Sequence, residues 1–195
     1  MSNHRAAVFV DGGYLDYVLR SCGAFGKTDF EAFFRALAEP AELLRAYYYH
    51  CLPYQSPNPT PEEAARFGAM HRFLDALDQL PRVEVRQGKI AYRGKKADGR
   101  PIFVQKQVDS LIATDLVMLS TKRLISEAVV VAGDSDLLPP IRIAKDEGAV
   151  VRLAHGTKRD RPHADLWNMA DERLPLTTDW FARCRQRELP PDPGA

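Results

Sequence analysis

Cysteine is scarce in this chain: Cys22, Cys51 and Cys184 are its three, far apart and odd in number. They offer neither metal-ligand spacing nor a disulfide framework, and read as reduced thiols of a cytosolic protein. An excess of one charge is also missing. The formal net charge is +1, so no global field draws the chain to nucleic acid or to an anionic membrane. Electrostatic recognition has to come from local clusters. No apolar run approaches the ~20 residues that span a bilayer. The opening MSNHRAAVFVDGG carries a short apolar run and an aspartate, which is not the pattern of a signal peptide. A cytoplasmic protein without a membrane partner is expected. Several enzyme signatures are absent too. There is no G-x-S-x-G elbow and no Cys–His arrangement that the sequence places together. The glycines of DGG and GKKADG lack the spacing of a phosphate-binding loop, so no nucleotide cofactor is expected. Gly13 stands where a D-x-D phosphatase would carry its second acid.

What the chain does have is core material. Of its 195 residues 45% are hydrophobic and 27% charged, the balance of one globular domain. We expect a single domain over 1–185 and a mobile Pro-rich tail over 186–195. Short apolar runs at 6–10, 128–132 and 149–154 read as buried strands, joined by β-rich segments at 43–52 and 83–88. Amphipathic patterns predict helices near 13–20, 29–38, 61–80, 108–123, 134–148 and 163–170. Thr60 is placed to cap the third of these, with Pro61 at its first position and Gly148 as a C-cap of the fifth. Residues 89–106 predict a β-hairpin with a basic tip. Strands alternating with helices predict an α/β fold: a mostly parallel central sheet with helices on both faces. Ligands of such folds bind beyond the carboxyl ends of the strands.

At that edge the sequence puts acids. Asp11 ends the first apolar run, and Asp134 and Asp136 follow AVVVAG. Asp109 opens the 108–123 helix. Asp115 shares the apolar stripe of that helix with Val108, Leu111, Ile112 and Leu119, so it needs a cation, a metal or donors. Several carboxylates at one edge repel each other and stay ionised together if a divalent cation joins them. Oxygen-only ligands select Mg²⁺ or Mn²⁺, and no His or Cys is placed in the cluster. Each acid also has a purely structural reading. Asp11 could bond the DGG turn, Asp109 or Asp136 could cap a helix, and Asp115 could pair with Lys106 or Arg123.

FVDGGYL, KQVDSLIATDL and VVVAGDSDLLPPIRIAKDEGAVV resemble, in order and approximate spacing, the motifs of the NYN domain family in its LabA-like branch. That family is similar to PIN nucleases. The resemblance spans residues 8–151. It implies a three-layer α/β/α Rossmann-like fold and a metal-dependent ribonuclease site at the carboxyl edge of the sheet. By resemblance Asp11 fits the first acidic position, Asp109 and Asp115 those of the middle motif, and Asp134 and Asp136 the GD-x-D motif. The chain departs from the pattern at Tyr14, where many relatives have Asn, at Gln107, where many have Gly, and at Leu138, where many have Phe. Loss of the Asn removes a substrate or water contact.

Nuclease chemistry on a polyanion needs positive charge nearby. The hairpin supplies Lys89, Arg93, Lys95, Lys96 and Arg100, with Tyr92 as a stacking face. A second basic loop holds Lys158, Arg159 and Arg161, with His155 and His163. Lys106 lies close to Asp109 and could contact the scissile phosphate or orient a carboxylate. Ser135 or Thr114 could orient a carboxylate or a water. The reading is an endoribonuclease using Mg²⁺ or Mn²⁺ held by Asp11, Asp109, Asp134 and Asp136, with Asp115 beside them and Tyr14 and Ser135 on the substrate side. The alternative is an RNA-binding regulatory module of the same fold. The partner is RNA, single-stranded or structured, and self-association is left open.

Overall fold

The computed structural model describes residues 4–95 and 101–185, with backbone alone at 91–93, 95 and 101–106. The first half of the chain runs β1 (Arg5–Asp11), α1 (Gly12–Ser21), α2 (Phe30–Ala38), β2 (Glu42–His50), α3 (Pro61–Asp78) and β3 (Val83–Gln87). An antiparallel pair follows, β4 (Lys89–Lys95) and β5 (Pro101–Lys106). The second half runs α4 (Val108–Thr121), β6 (Glu127–Val131), α5 (Leu138–Asp146), β7 (Val150–His155), α6 (Ala164–Met169), β8 (Glu172–Pro175) and α7 (Thr178–Ala182). The expected mostly parallel sheet has six strands in the order β3-β2-β1-β6-β7-β8, and every pairing in it is parallel. The expected tip of the hairpin and the expected tail fall outside the described residues.

The strands are buried on both faces, which is why β1 and β6 read as continuous apolar runs rather than as alternating ones. Ala6, Val8 and Val10 face one core and Ala7 and Phe9 the other. The tyrosine triplet divides the same way, Tyr48 to the first core and Tyr47 and Tyr49 to the second. Leu15 and Val18 of α1, Phe33 and Leu37 of α2, and Leu74 and Leu77 of α3 close the first core. Ile112 and Leu116 of α4, Ile141 of α5 and Leu166 of α6 close the second. The result is a three-layer α/β/α fold.

Local chemistry starts the helices where it is expected and shifts one of them. Thr60 and Glu63 form a reciprocal capping box at α3. The segment after β6 does not enter an α-helix at Asp134. Ser135–Leu137 form a single 3-10 turn, and the α-helix begins at Leu138 with prolines in its first turn. Pro139 and Pro140 carry no backbone N–H, so they are tolerated where a helix begins and not in its interior. β8 and α7 add a sixth strand and a covering helix that the sequence patterns do not announce.

The topology positions the site. From β1 the chain builds outward through β2 and β3, then returns to the other side of β1 and builds outward again from β6. The carboxyl ends of β1 and β6 therefore flank a switch point, where a crevice opens in sheets of this kind. The chain enters α4 through Gln107, which sits at φ +75 and makes no side-chain cap. That left-handed conformation costs an ordinary residue about 1–2 kcal/mol. Glycine would adopt it freely but loses about 0.5–1 kcal/mol through its looser unfolded chain. Gln107→Gly is therefore expected to gain about 0.5 kcal/mol of stability, read as a higher urea midpoint at unchanged slope.

Candidate active site

Asp11 ends β1 and begins α1 at once. Its side chain accepts a hydrogen bond from the Tyr14 backbone N–H at 3.1 Å, capping the helix. The turn is this tight because residue 12 has no side chain. A Cβ there would lie 2.5 Å from the His50 ring and 2.7 Å from that of Tyr48. Just beyond the end of the neighbouring strand β6, Gly133 is covered as closely by the Tyr14 ring, which would meet a Cβ at 2.6 Å. Asp134 follows, exposed, and accepts from the Asp136 N–H at 3.1 Å, which sets the 3-10 turn. Ser135 is half-buried and Asp136 exposed.

These acids act on one another. Burial raises the pKa of Asp11, and Asp109 raises it further; N–H bonds from Tyr14 and Gly13 and the charge of His50 offset only part of this. Asp109 is also raised, by burial first and then by Asp134 and Asp136. Four of the acids singled out in the sequence thus share one electrostatic site, delivered by β1, α4 and the β6–α5 turn. A cleft of about 620 Å³ opens beside it, lined by Asp11, Tyr14 and Asp134 together with Arg159, Arg161 and His163. All-carboxylate donors fit a hard divalent cation, which would relieve their mutual repulsion. Among the described residues no three His, Cys, Asp or Glu side chains stand close enough to close round one ion. The donor chemistry fits, and the side chains stand apart.

Asp115 lies elsewhere in this arrangement. It is buried, and its Oδ2 accepts from the Tyr49 hydroxyl at 2.9 Å and from Arg86 Nε at 3.3 Å. The cation that a carboxylate on an apolar helix stripe requires comes from β3, not from Arg123 of its own segment. Asp115 is not among the charges that shift Asp11 or Asp109. Thr114 is exposed and its hydroxyl donates to the Ser110 carbonyl at 2.7 Å. Tyr14 lines the cleft, yet its hydroxyl is occupied. It donates to the Asp160 carbonyl at 2.7 Å and accepts from the Gly156 N–H at 3.0 Å. Burial pushes its pKa up to about 12. Lys106, Tyr92, Arg93 and Lys95 lie on segments described by backbone alone, and Lys96 and Arg100 lie outside the described residues.

A histidine that the sequence reading did not single out lies near Asp11 and acts on it by charge. His50 ends β2 beside β1 and is 7% exposed. Its Nδ1 bonds the Cys51 carbonyl at 2.8 Å, and its Nε2 lies 4.0 Å from Asp16. Burial opposes charge on the ring, but Asp16, that carbonyl and Asp11 outweigh it and raise its pKa. The available signal was position: His50 is the polar residue at the carboxyl end of an apolar strand. Two further features were also missed. Tyr17, 74% exposed on α1, lines the cleft. Asp160, 9% exposed, accepts from Ser21 Oγ at 2.7 Å and from the Lys158 N–H at 2.9 Å, fixing the basic loop against α1.

Two substitutions separate these acids. Asp115→Ala leaves the buried Tyr49 hydroxyl without its acceptor and Arg86 with Glu84, at 2.6 Å, as its remaining carboxylate. It is expected to lower unfolding free energy by about 2–3 kcal/mol, because Arg86 reaches solvent and breaking a fully buried pair costs more; urea denaturation checks this. Asp109→Asn should do the reverse when divalent cations are chelated, raising Tm by about 1–3 °C at neutral pH. The folded state holds the Asp109 proton more tightly than the unfolded chain does. Its favourable contribution is complete below the unfolded pKa and is lost as pH rises through the folded value. The advantage of the Asn variant should therefore shrink as pH falls through the acidic range, measured by melting both proteins at each pH.

Comparison with known proteins agrees with this architecture. The NYN domain family matches residues 5–176. The uncharacterized protein y4oD of Sinorhizobium fredii (strain NBRC 101917 / NGR234) is 37% identical over 122 residues, covering 59% of this chain and 51% of that protein. The chain thus spans about half the length of that curated relative. The crystal structure of VPA0982, a protein of unknown function from Vibrio parahaemolyticus, superposes with a TM-score of 0.58 at 20% identity, covering 91% of this chain and 95% of that one. At that identity the likeness shows the fold alone. With a family match that runs from the first strand to the last, the chain belongs to the NYN domain family.

Proposed function

We propose that the protein is a metal-dependent endoribonuclease that hydrolyses RNA phosphodiester bonds at the carboxyl edge of its sheet. One observation carries this reading. Asp11, Asp109, Asp134 and Asp136, from three segments, act on one another, and two of them, Asp11 and Asp134, line a cleft that Arg159 and Arg161 also line. Asp11, Asp109, Asp134 and Asp136 would hold the ion, and a bound Mg²⁺ or Mn²⁺ would supply an activated water and neutralise charge on the phosphate. Arg159 and Arg161 lie where the backbone of a bound strand would pass, and guanidinium groups suit phosphate oxygens. Ser135, half-buried between the two exposed acids, is placed to orient one of them. Lys106 and the hairpin residues Tyr92, Arg93, Lys95, Lys96 and Arg100 would extend the positive track for RNA. Asp115 contributes by anchoring α4 to β2 and β3, and so by holding Asp109 at the edge. Membership of the LabA-like branch is part of the same proposal.

The alternative is a non-catalytic or weakly catalytic RNA-binding regulatory module. Two observations favour it: the acids stand apart, and the Tyr14 hydroxyl bonds the Gly156–Asp160 loop instead of facing the cleft. It implies salt-dependent RNA binding without products.

The deciding experiment is Mn²⁺-dependent cleavage of single-stranded RNA by the parent protein and by Asp134→Asn. The Asn side chain still accepts from the Asp136 N–H, so the 3-10 turn survives and Tm should stay within about 1 °C. Cleavage should fall about 100-fold or more. Equal cleavage by both proteins would remove the acids from the chemistry, and binding without cleavage by the parent would favour the module.

A further inference from the structure

Beside the cleft lies a second cavity, of about 530 Å³, a volume ordinary for small-ligand sites. Arg161 and Pro162 line both spaces, so the cavity continues the cleft around that side chain. Trp167 of α6 forms part of its lining and is 40% exposed. The indole is fixed from behind. The His155 ring meets it edge-on at 4.5 Å, and Arg173 holds its backbone carbonyl through Nη2 at 2.7 Å and Nε at 3.1 Å. The Arg173 guanidinium also lies over the indole, 5.7 Å from its centroid, and the part of Trp167 that stays exposed offers aromatic surface to a ligand.

The polar groups of the wall are incompletely used. Arg161 donates Nε to the Thr157 carbonyl at 3.2 Å, and no described carboxylate pairs with it. His155 is 4% exposed. Its Nδ1 bonds the Gly156 carbonyl at 2.7 Å, and a carbonyl can only accept, so Nδ1 carries the proton. Nε2 is buried without a described hydrogen-bond partner. Buried polar atoms are nearly always satisfied, so an exception in the lining of a cavity calls for an explanation, of which a bound ligand or water is one.

We infer that this cavity is a nucleobase subsite: it takes one unpaired base of the strand, stacked on Trp167, while Arg161 grips the phosphate between that base and the acidic edge. The inference rests on reading the cleft as an RNA site and adds the substrate class. A base can enter only if it is unstacked from its neighbours, which single-stranded RNA allows and a duplex does not. The shared Arg161 and the cationic Arg173 beside the ring match an anionic strand running from cleft to cavity.

The test uses the full chain with divalent cations chelated, so that binding is read without turnover. Fluorescence anisotropy compares a labelled single-stranded oligoribonucleotide with the same strand made abasic and with its duplex. The intact strand should bind about tenfold more tightly than either. In a Trp180→Phe background, emission comes from Trp167 alone, since the chain has two tryptophans. The intact strand should quench it saturably. Trp167→Ala should lose the tenfold preference for intact over abasic RNA, and Trp167→Tyr should keep most of it. Equal affinity for intact and abasic strands, in a protein that still cuts RNA when Mn²⁺ is supplied, overturns the subsite and leaves the nuclease reading standing. Base-dependent quenching without Mn²⁺-dependent cleavage supports the subsite and ends the nuclease reading. A protein that neither binds nor cuts RNA ends both.

Discussion

Like charge crowded at the carboxyl edge of a parallel sheet is the constraint on which the rest depends. A parallel sheet delivers the ends of neighbouring strands to one side, and the switch in strand order beside β1 leaves room there for α4 to present its first turn. Asp11 and Asp109 meet at that place, and each is harder to ionise than an isolated carboxyl. A chain under selection for stability alone gains nothing from such an arrangement, because exposed acids on a tolerant surface would avoid the repulsion. Functional sites are where such shifts cluster, which accords with the proposed role of these acids. The close packing of Gly12 against His50 and Tyr48, and of Gly133 against Tyr14, shows how firmly those elements hold it.

Asp115 makes the contrast within the same helix. It is more deeply buried than Asp109, yet it is matched by Arg86 and by the Tyr49 hydroxyl. Burying an ion without such partners costs several kcal/mol. The pairing fixes α4 against β2 and β3 and with it the direction in which the first turn of α4 points. One acid of the helix is neutralised to build the scaffold. The other acts with its fellow acids and is available to a ligand.

The legibility of these features follows how local each one is. β1 and β6 stood out because buried parallel strands need unbroken apolar runs, and Asp11, Asp134 and Asp136 were placed by adjacency to those runs. Asp109 was placed by the start of a strongly patterned helix. The features that were not legible depend on which strand lies beside which. His50 joins the acids because β2 is the neighbour of β1, a fact carried by the whole topology and not by residues near position 50. Arg86 reaches Asp115 across the sheet for the same reason, while residues closer along the chain had looked like better partners. β8 is four residues long, too short for periodicity to register. The 3-10 turn after Gly133 was hidden because cap residues and an apolar period look alike before either kind of helix; the two prolines were the clue to where the α-helix starts.

Tyr14 gains its meaning from the same long-range geometry. Against the family pattern that the sequence motifs resemble, with Asn at this position, Tyr14 looks like a lost contact to substrate or water. In the fold it gains three contacts. Its ring covers Gly133, its hydroxyl receives the Gly156 N–H, and the same hydroxyl donates to the Asp160 carbonyl. One side chain therefore joins the helix that Asp11 caps, the turn that carries Asp134, and the loop that carries Arg159 and Arg161. Ser21 and the buried Asp160 carboxylate tie the same loop to α1 a second time. The loop that carries Arg159 and Arg161 is thereby fixed relative to the turn that carries Asp134, so a ligand that used both, as proposed, would find them already ordered. Tyr14 is thus a brace that holds the turn carrying Asp134 and the loop carrying Arg159 and Arg161 in one fixed relation, which is the preorganisation that the proposed strand-binding role requires and which needs no polar contact from position 14 itself.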